Sequence, residues 1–259
     1  MILLPFLFLT SGAILFVAIN HLNQSVTTYY DFVALTMVLG GSTLIALVLL
    51  PWEYRSDIFR AFKFLLRKEK NNFHQVLKDS VELLQKRTFA SNKAQWLYQE
   101  ILVDGLELIQ LSIHRDKISE LLSDRIYHTC RRWRKIGSAI RSLAKYPPAL
   151  GLVGTVLGLV NIMKSLAGAS DAGRLGGEMS IALVATMYGL LFANMIINPI
   201  DELLLKKVEE EEEYAEIAMQ AVLLLKDEAS VVESFETLNS MVGRDDRLVI
   251  DEVAARDVA

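Results

Sequence analysis

Four apolar stretches without a single Asp, Glu, Lys or Arg restrict the fold of this chain more than any other feature of its sequence. Three of them have about the 20 residues that a helix needs to cross roughly 30 Å of hydrocarbon: Met1–Asn20, Phe32–Trp52 and Met179–Pro199. The fourth, Pro147–Met163, is equally free of charge but shorter. The sequence therefore predicts an all-α membrane protein with four transmembrane helices.

Positive charge is concentrated in two of the segments between and after these stretches. Of the 27 Lys and Arg residues, 19 lie within 53–146 and six lie beyond Asp201. Segments rich in Lys and Arg stay on the cytoplasmic side of a membrane. We therefore expect both termini in the cytoplasm, with residues 21–31 and 165–178 outside. A signal peptide is the alternative for the first stretch, but that stretch lacks a basic n-region.

Apolar residues in the segments outside the membrane stretches recur every three to four positions, as in amphipathic helices. One helix is expected to run without a break from Asp116 to Tyr146, directly into the third span. We therefore expect long cytoplasmic helical extensions. The predicted domains are a first transmembrane hairpin (1–52), a cytoplasmic helical insert (53–146), a second transmembrane hairpin (147–200), and a cytoplasmic C-terminal helix and tail (201–259).

Small residues occupy one face of each helix in the second hairpin. Gly154 and Gly158 are one turn apart in the third span, and Ala182 and Gly189 are two turns apart in the fourth. Such residues let helix backbones approach closely in lipid, where no hydrophobic effect drives helices together. We predict that the third and fourth helices pack along these faces.

A hydroxyl adjoins each of these faces, Thr155 in the third span and Thr186 in the fourth. In antiparallel helices the two lie at similar depths. Each hydroxyl can bond back to the carbonyl one turn earlier, or the two together can form a polar wall beside a partner or an ion path. No span has a titratable group near its centre, so an ion-moving protein of this kind needs a carboxylate from a partner.

Prolines flank the second hairpin, because Pro148 begins the third span and Pro199 ends the fourth. A missing N–H costs least at the first turn or the end of a helix, so punctuation of the two helices is one explanation. A hinge at the cytoplasmic end of the hairpin is the other.

Several classes of protein are disfavoured by what the sequence lacks. It has no HExxH, paired Cys ligands, phosphate loop or GxSxG, so we expect neither an enzyme nor a bound cofactor or metal. The basic cluster at 131–135 has no DNA or RNA motif beside it, which favours contact with membrane lipids over nucleic acid. The single cysteine, Cys130, excludes an internal disulfide framework.

Two stretches resemble a known family. The sequence PPALGLVGTVLGLV (147–160), together with ALVATMYGLLFANMIINPI (182–200), is similar to the third and fourth transmembrane helices of the MotA/TolQ/ExbB family. The four-span order and AMQAVLLLKDEASVVESFETL (218–238) extend the resemblance to flagellar stator A subunits of the MotA and PomA type.

This resemblance implies a multi-pass protein of the bacterial inner membrane. It implies a homo-pentamer around two copies of a MotB- or PomB-like subunit, which has a single span, an ion-binding aspartate and a peptidoglycan-binding domain. The second hairpin would line the pore, and inward ion flow would be coupled to rotation and torque.

The resemblance also assigns roles to individual residues. Pro148 and Pro199 match the family's two prolines at the cytoplasmic ends of the pore helices. Thr155 and Thr186 match threonines that face the B-subunit aspartate in sodium-driven members. Asp31 matches an aspartate at the outer end of the second span in PomA-like sequences, and helix capping is its alternative role. The remaining ion-path and B-subunit-interface residues would be Gly154, Gly158, Ala182 and Gly189.

The transported ion is Na⁺ or H⁺ by this resemblance. Proton-driven stators tend to have alanine at the position of Thr155, which favours sodium, because hydroxyl and carbonyl oxygens can replace part of its hydration shell. Ala185, however, stands where PomA-like chains often have a further threonine.

Lys86 and Arg87 match basic residues that contact a FliG-like flagellar rotor protein in the family. The acidic cluster usual after them is missing from TFASNKAQW (88–96). The driven load therefore stays open between flagellar motility, TolQ/ExbB-like energy transduction, and a gliding or defence system. A non-conducting membrane scaffold is the alternative from another class.

Overall fold

The computed structural model describes residues 30–49, 52–66, 73–89, 96–167 and 172–248. Every regular element in these ranges is helical, which confirms the all-α prediction for them. The α-helices are, in chain order, α1 Phe32–Leu35, α2 Gly41–Leu49, α3 Trp52–Leu66, α4 Phe73–Lys86, α5 Leu97–Gln110, α6 Arg115–Leu143, α7 Tyr146–Ala167, α8 Ala172–Leu191, α9 Asn198–Lys226 and α10 Val231–Ser240. Two π-helical stretches, Thr36–Gly40 and Phe192–Ile197, join α1 to α2 and α8 to α9, and a 3₁₀ turn, Arg244–Asp246, follows α10.

Helices that can cross a membrane, judged by length and composition, occur in three parts of the described chain: Phe32–Leu49, Arg115–Ala167 and Gly176–Lys226. They contain the second, third and fourth predicted spans. The first predicted span, 1–20, lies outside the described residues. The count of four spans therefore stays a prediction.

The described residues form two compact units. One comprises those within 1–67 and 135–205, and the other those within 68–134 and 206–259. In the first unit, Ala34, Val38, Val184 and Ala185 form a buried apolar cluster. In the second, the fully buried side chains include Leu77, Tyr98, Ile101 and Leu238.

The helix predicted to run unbroken into the third span is interrupted. Helix α6 ends at Leu143, a turn follows, and α7 begins at Tyr146. Pro147 and Pro148 explain the break, because neither can donate an N–H to the carbonyl one turn earlier. The N–H of Ala144 instead bonds to the carbonyl of Arg141 at 3.1 Å. Pro148 accordingly lies in the first turn of α7, as the punctuation reading expects.

Pro199 does not end the helix of the fourth span. Helix α8 passes through the π-helical stretch Phe192–Ile197 directly into α9, and Pro199 is the second residue of α9. The N–H of Asn198 bonds to the carbonyl of Ala193, five residues earlier. This wider turn accommodates a residue that lacks an N–H, which is why the helix continues past the proline.

Candidate functional site

Helices α7 and α8 approach each other at backbone distance, and glycines make this approach possible. An added Cβ at Gly154 would lie 2.7 Å from the Cβ of Ala185, and one at Gly158 would overlap the Cβ of Ala182. Real carbon atoms pack about 3.5–4.0 Å apart. The small faces predicted from the sequence therefore do meet, and we call this contact the α7–α8 seam.

Thr155 and Thr186 meet across the α7–α8 seam, and their hydroxyl oxygens are in hydrogen-bond contact. The Oγ1 of Thr155 lies 3.2 Å from the carbonyl oxygen of Gly151 and 3.3 Å from that of Ala182 in the facing helix. The Oγ1 of Thr186 lies 3.1 Å from the same Gly151 oxygen. Thr155 thus reaches both its own helix and the opposite one.

The threonine pair is a site of hydrogen-bond acceptors. Two hydroxyl groups carry two protons, and each proton has an acceptor among the oxygens around it. The lone pairs that remain belong to hydroxyl and carbonyl oxygens, and both side chains are only partly buried. The pair can therefore coordinate a cation or accept a hydrogen bond from a protonated acid, whereas an unprotonated carboxylate gains a donor only if a hydroxyl turns its proton away from these oxygens.

Asp31 caps a helix. Its Oδ1 accepts a hydrogen bond from the N–H of Ala34 at 2.7 Å, which makes it the N-cap of α1. Its own N–H donates to the hydroxyl of Tyr188 at 3.4 Å, so the cap also touches α8. The capping alternative is thus present, and the carboxylate is engaged with the start of α1 rather than with the threonine pair.

Gly189 and the prolines at the start of α7 are brought together. A Cβ at Gly189 would overlap the carbonyl oxygen of Pro147 and would lie 3.0 Å from the Cα of Pro148. The base of the seam is therefore a backbone contact between a glycine in α8 and two residues that lack an N–H. Pro199 is ten residues after Gly189, in the first turn of α9 and beyond the π-helical stretch.

Lys86 and Arg87 lie at the C-terminal end of α4 in the second unit. Both are exposed, and the Nζ of Lys86 is 2.6 Å from the Oε1 of Glu82. Arg87 has a φ of 52°, and its N–H bonds to the carbonyl of Leu83 at 2.8 Å. A cation at a helix C-terminus is favoured by the helix dipole. The arrangement presents two adjacent positive charges to the exterior.

Sequence reasoning missed a member of the seam. Ala185 is buried and faces both Gly151 and Gly154, since a Cβ at Gly151 would lie 2.8 Å from the Ala185 carbonyl oxygen. Its helical spacing from Ala182 was the available signal, because the two residues are three positions apart and share a face.

Two charged contacts were also unpredicted, because they join residues far apart in sequence. Asp201 is 1% exposed, and its Oδ2 is 3.9 Å from the Nε of Arg141. Glu211, in the acidic run of α9, accepts the N–H of Leu97 at 3.2 Å and so caps α5. Glu211 is buried, although a run of acidic residues such as Glu209–Glu213 usually forms a solvated helix face.

Burial shifts the titration of one pair in the second unit. The hydroxyl of Tyr98 donates to the Oδ2 of Asp79 at 2.9 Å. Burial raises the pKa of Asp79 above its ordinary value, against the opposing hydrogen bonds from Tyr98 and Gln75. Burial, followed by the charge of Asp79, also raises the pKa of Tyr98.

No group of three His, Cys, Asp or Glu side chains that could hold a metal occurs in the part of the chain that the structure describes.

Comparison with known proteins gives related results from sequence and from structure. "Motility protein A" of Treponema phagedenis is 26% identical over 210 residues, which cover 79% of this chain and 80% of that protein. The fold matches a structure of C. jejuni MotAB, with a TM-score of 0.81, 13% identity, and coverage of 93% of this chain and 96% of that one. It also matches the flagellar MotAB stator complex from Bacillus subtilis, with a TM-score of 0.79, 18% identity, and coverage of 93% and 96%.

The family model described as "MotA/TolQ/ExbB proton channel family" matches residues 93–217. This range contains α7, α8 and the whole α7–α8 seam. It is a family of channels and not of enzymes. Residues 93–217 are therefore similar to the MotA/TolQ/ExbB proton channel family, as a domain within this chain.

Proposed function

We propose that this chain is the channel-forming A subunit of an ion-driven stator of the MotA and PomA type, which couples inward cation flow to rotation in flagellar motility. The observation that carries the proposal is the threonine pair, a cluster of acceptor oxygens within an apolar seam. The family match and the relative named "Motility protein A" support the same reading.

The ion carrier in this proposal is a carboxylate of a partner. The predicted spans supply no acid at depth, and both protons of the threonine pair already have acceptors within the seam. A partner's carboxyl group therefore fits beside the pair when it is protonated or holds a cation, and fits poorly when it is bare. The partner is a single-span subunit of the MotB or PomB type with a peptidoglycan-binding domain.

The partner's carboxyl group alternates between a loaded state, protonated or cation-bound, and an unloaded, ionised state, and this alternation drives the relative movement of the subunits. Loading the partner's acid favours its docking at Thr155 and Thr186, and release to the cytoplasm disfavours it. Each charge that crosses 100 mV yields about 2.3 kcal/mol. Successive subunits of a homo-pentamer around two B subunits would each present one such site, so the pentamer turns around the dimer.

The transported ion is sodium in this proposal, with the proton as the competing assignment. Two hydroxyl and two carbonyl oxygens converge on the threonine pair, and oxygen ligands of this kind replace part of the hydration shell of Na⁺. The description of the family as proton channels supports the proton. The experiment below includes both ions for this reason.

The remaining roles follow from position. Pro148, Pro199 and Gly189 are the proposed hinge at the base of the seam. Lys86 and Arg87 are the proposed contact with a FliG-like rotor protein, because both charges are exposed at one helix end. The chain lies in the inner membrane with both termini in the cytoplasm, and its domains are 1–52, 53–146, 147–200 and 201–259.

The test is cation uptake into proteoliposomes that contain the chain and the single-span protein encoded beside it. Removing the hydroxyl with Thr155→Val should lower uptake about 10- to 100-fold, since a hydrogen bond to a charged group contributes about 1.5–3 kcal/mol. Thr155→Ser keeps the oxygen and should retain most of the uptake. Uptake driven by a sodium gradient and by a proton gradient is measured separately.

The matched control is Thr43→Val. The hydroxyl of Thr43 is exposed and bonds only to the carbonyl of Leu39 in its own helix, at 2.7 Å. Equal uptake by Thr155→Val and Thr43→Val would exclude the threonine pair from the ion path. A complex that assembles but takes up neither ion would favour the scaffold alternative.

A further inference from the structure

Helix α3 begins directly after a helix that is apolar enough to cross a membrane. Helix α2 ends at Leu49, and α3 begins at Trp52. The last turn of α2 points apolar side chains outward, with Val48 83% exposed and Leu49 about half exposed. If the helical segment Phe32–Leu49, which ends with α2, crosses the bilayer, the start of α3 is at the bilayer surface.

Two faces of α3 differ in composition. Asp57 and Ala61, one turn apart, are 5% and 0% exposed, so this side packs against the protein. On the other side Phe59 is 80% exposed and Phe62 is 49% exposed. Two neighbouring phenylalanines that face outward expose a large apolar area, which water disfavours at about 25 cal/mol per Å².

Basic side chains accompany these two rings. Lys63 is exposed and lies one turn from Phe59 on the same helix surface. Arg60 lies at the edge of this surface, where its side chain is 66% exposed and its Nη1 is 3.3 Å from the Oδ1 of Asp57. We call Phe59, Arg60, Phe62 and Lys63 the outer face of α3. The sequence continues with three more basic residues and one acid, in RKEK at 67–70. Aromatic rings with Lys and Arg on the same exposed surface are typical of helices that lie in a membrane interface.

We propose that the outer face of α3 binds the anionic lipid surface of the membrane that the segment Phe32–Leu49 spans. Phe59 and Phe62 insert at the boundary between headgroups and acyl chains, and Arg60 and Lys63 bind lipid phosphates. In this proposal the lipid-covered surface extends from the exposed apolar residues Val48 and Leu49 at the end of α2 onto this face of α3. Lys and Arg attract acidic lipids, which explains why the exposed rings are flanked by these residues rather than by acids.

This inference does not depend on ion conduction, so its failure would not be the failure of the proposed function. It requires only that the segment Phe32–Leu49 crosses the membrane. A second copy of the chain that covers the same face is the alternative occupant, and the experiment distinguishes it.

The first measurement is fluorescence quenching in lipid nanodiscs. The full chain with Cys130→Ser receives Phe59→Cys and an environment-sensitive label, and doxyl-labelled phospholipids act as quenchers. Leu111→Cys is the control, because Leu111 is also exposed and apolar but lies at the end of α5 in the other unit. The label at position 59 should be quenched at least threefold more than the label at 111, most strongly by doxyl groups high on the acyl chain.

Phe59→Trp read by quenching with brominated lipids provides a second variant with a smaller change. Equal quenching at positions 59 and 111 would overturn the proposal. So would a disulfide crosslink between two copies of the chain through position 59, because a second copy would then cover the face.

The second measurement tests the lipid charge. Competition with spin-labelled phosphatidylglycerol reports how strongly the chain prefers it to phosphatidylcholine. Arg60→Gln with Lys63→Gln should lower this preference by about 25-fold, since each basic residue near an anionic surface contributes about fivefold. Lys117→Gln with Arg244→Gln, two exposed positions in the other unit, should leave it unchanged. Equal effects of the two double variants would show that net charge alone, and not α3, sets the preference.

Discussion

Exchanging glycine and alanine between positions 154 and 185 tests how tightly α7 and α8 pack in the seam. Gly154→Ala places a Cβ 2.7 Å from the Cβ of Ala185, about 1 Å closer than ordinary carbon contact. Overpacking of this kind costs about 1–3 kcal/mol. The better helix propensity of alanine returns about 1 kcal/mol. We therefore expect Gly154→Ala to lower the free energy of unfolding by up to about 2 kcal/mol.

The reciprocal change should restore stability. Ala185→Gly alone loses about 1 kcal/mol of helix propensity. In the double variant the two propensity changes cancel, and the methyl group has moved from α8 to α7 without a facing Cβ. Its stability should be within about 0.5 kcal/mol of the original chain, so the coupling energy of the double-mutant cycle should be about −1 to −3 kcal/mol, the overpacking cost with its sign reversed.

Thermal unfolding in lipid nanodiscs measures all three variants, with Gly176→Ala as the matched control. Among the described residues, and apart from the chain neighbours and backbone of its own helix, no heavy atom lies within 4 Å of a Cβ at Gly176, so this change should stabilise α8 by up to about 1 kcal/mol. The reasoning would be refuted if Gly154→Ala stabilised the chain as much as Gly176→Ala, or if the two seam changes were simply additive.

Two further predictions concern the second unit. Because burial raises the pKa of Asp79, its contribution to stability is present at low pH and is lost as pH rises above 3.8, its ordinary value, through the folded-state pKa. Asp79→Asn, whose amide oxygen still accepts from Tyr98, should remove this pH dependence from urea unfolding, and an unchanged pH profile would contradict it. Glu211→Ala should cost about 1–2 kcal/mol and speed hydrogen exchange at Leu97, because α5 loses its cap. Glu213→Ala, exposed in the same helix, should do neither.

The membrane part of the fold was accessible from the sequence because lipid imposes a simple requirement on it. A helix in hydrocarbon satisfies its own backbone, so freedom from charge and the positions of small residues carry most of the information. The meeting of Thr155 with Thr186 followed from their matched positions in two antiparallel helices. The same reasoning located Gly154 opposite the small face of α8.

Other features depend on neighbours that are distant in sequence or on backbone detail that composition does not encode. The pairing of Arg141 with Asp201 and the capping of α5 by Glu211 join residues far apart in the chain. The passage of the helix past Pro199 depends on a π-helical turn whose residues, FANMII, include neither Gly nor Pro. Proline by itself predicts the end of a helix. The π-helical turn that lets the helix continue cannot be recognised from the residue types in the sequence.

Glycine and alanine in the α7–α8 seam have a kinetic consequence. Neither residue has side-chain rotamers to lose or exchange. When one of these helices rotates or slides against the other, no long side chain at a glycine or alanine position has to change rotamer or withdraw from between its neighbours. The resistance to such a movement therefore comes from contacts between backbone atoms and alanine methyl groups. The two threonine hydroxyls are the groups that must break and re-form hydrogen bonds at each displacement.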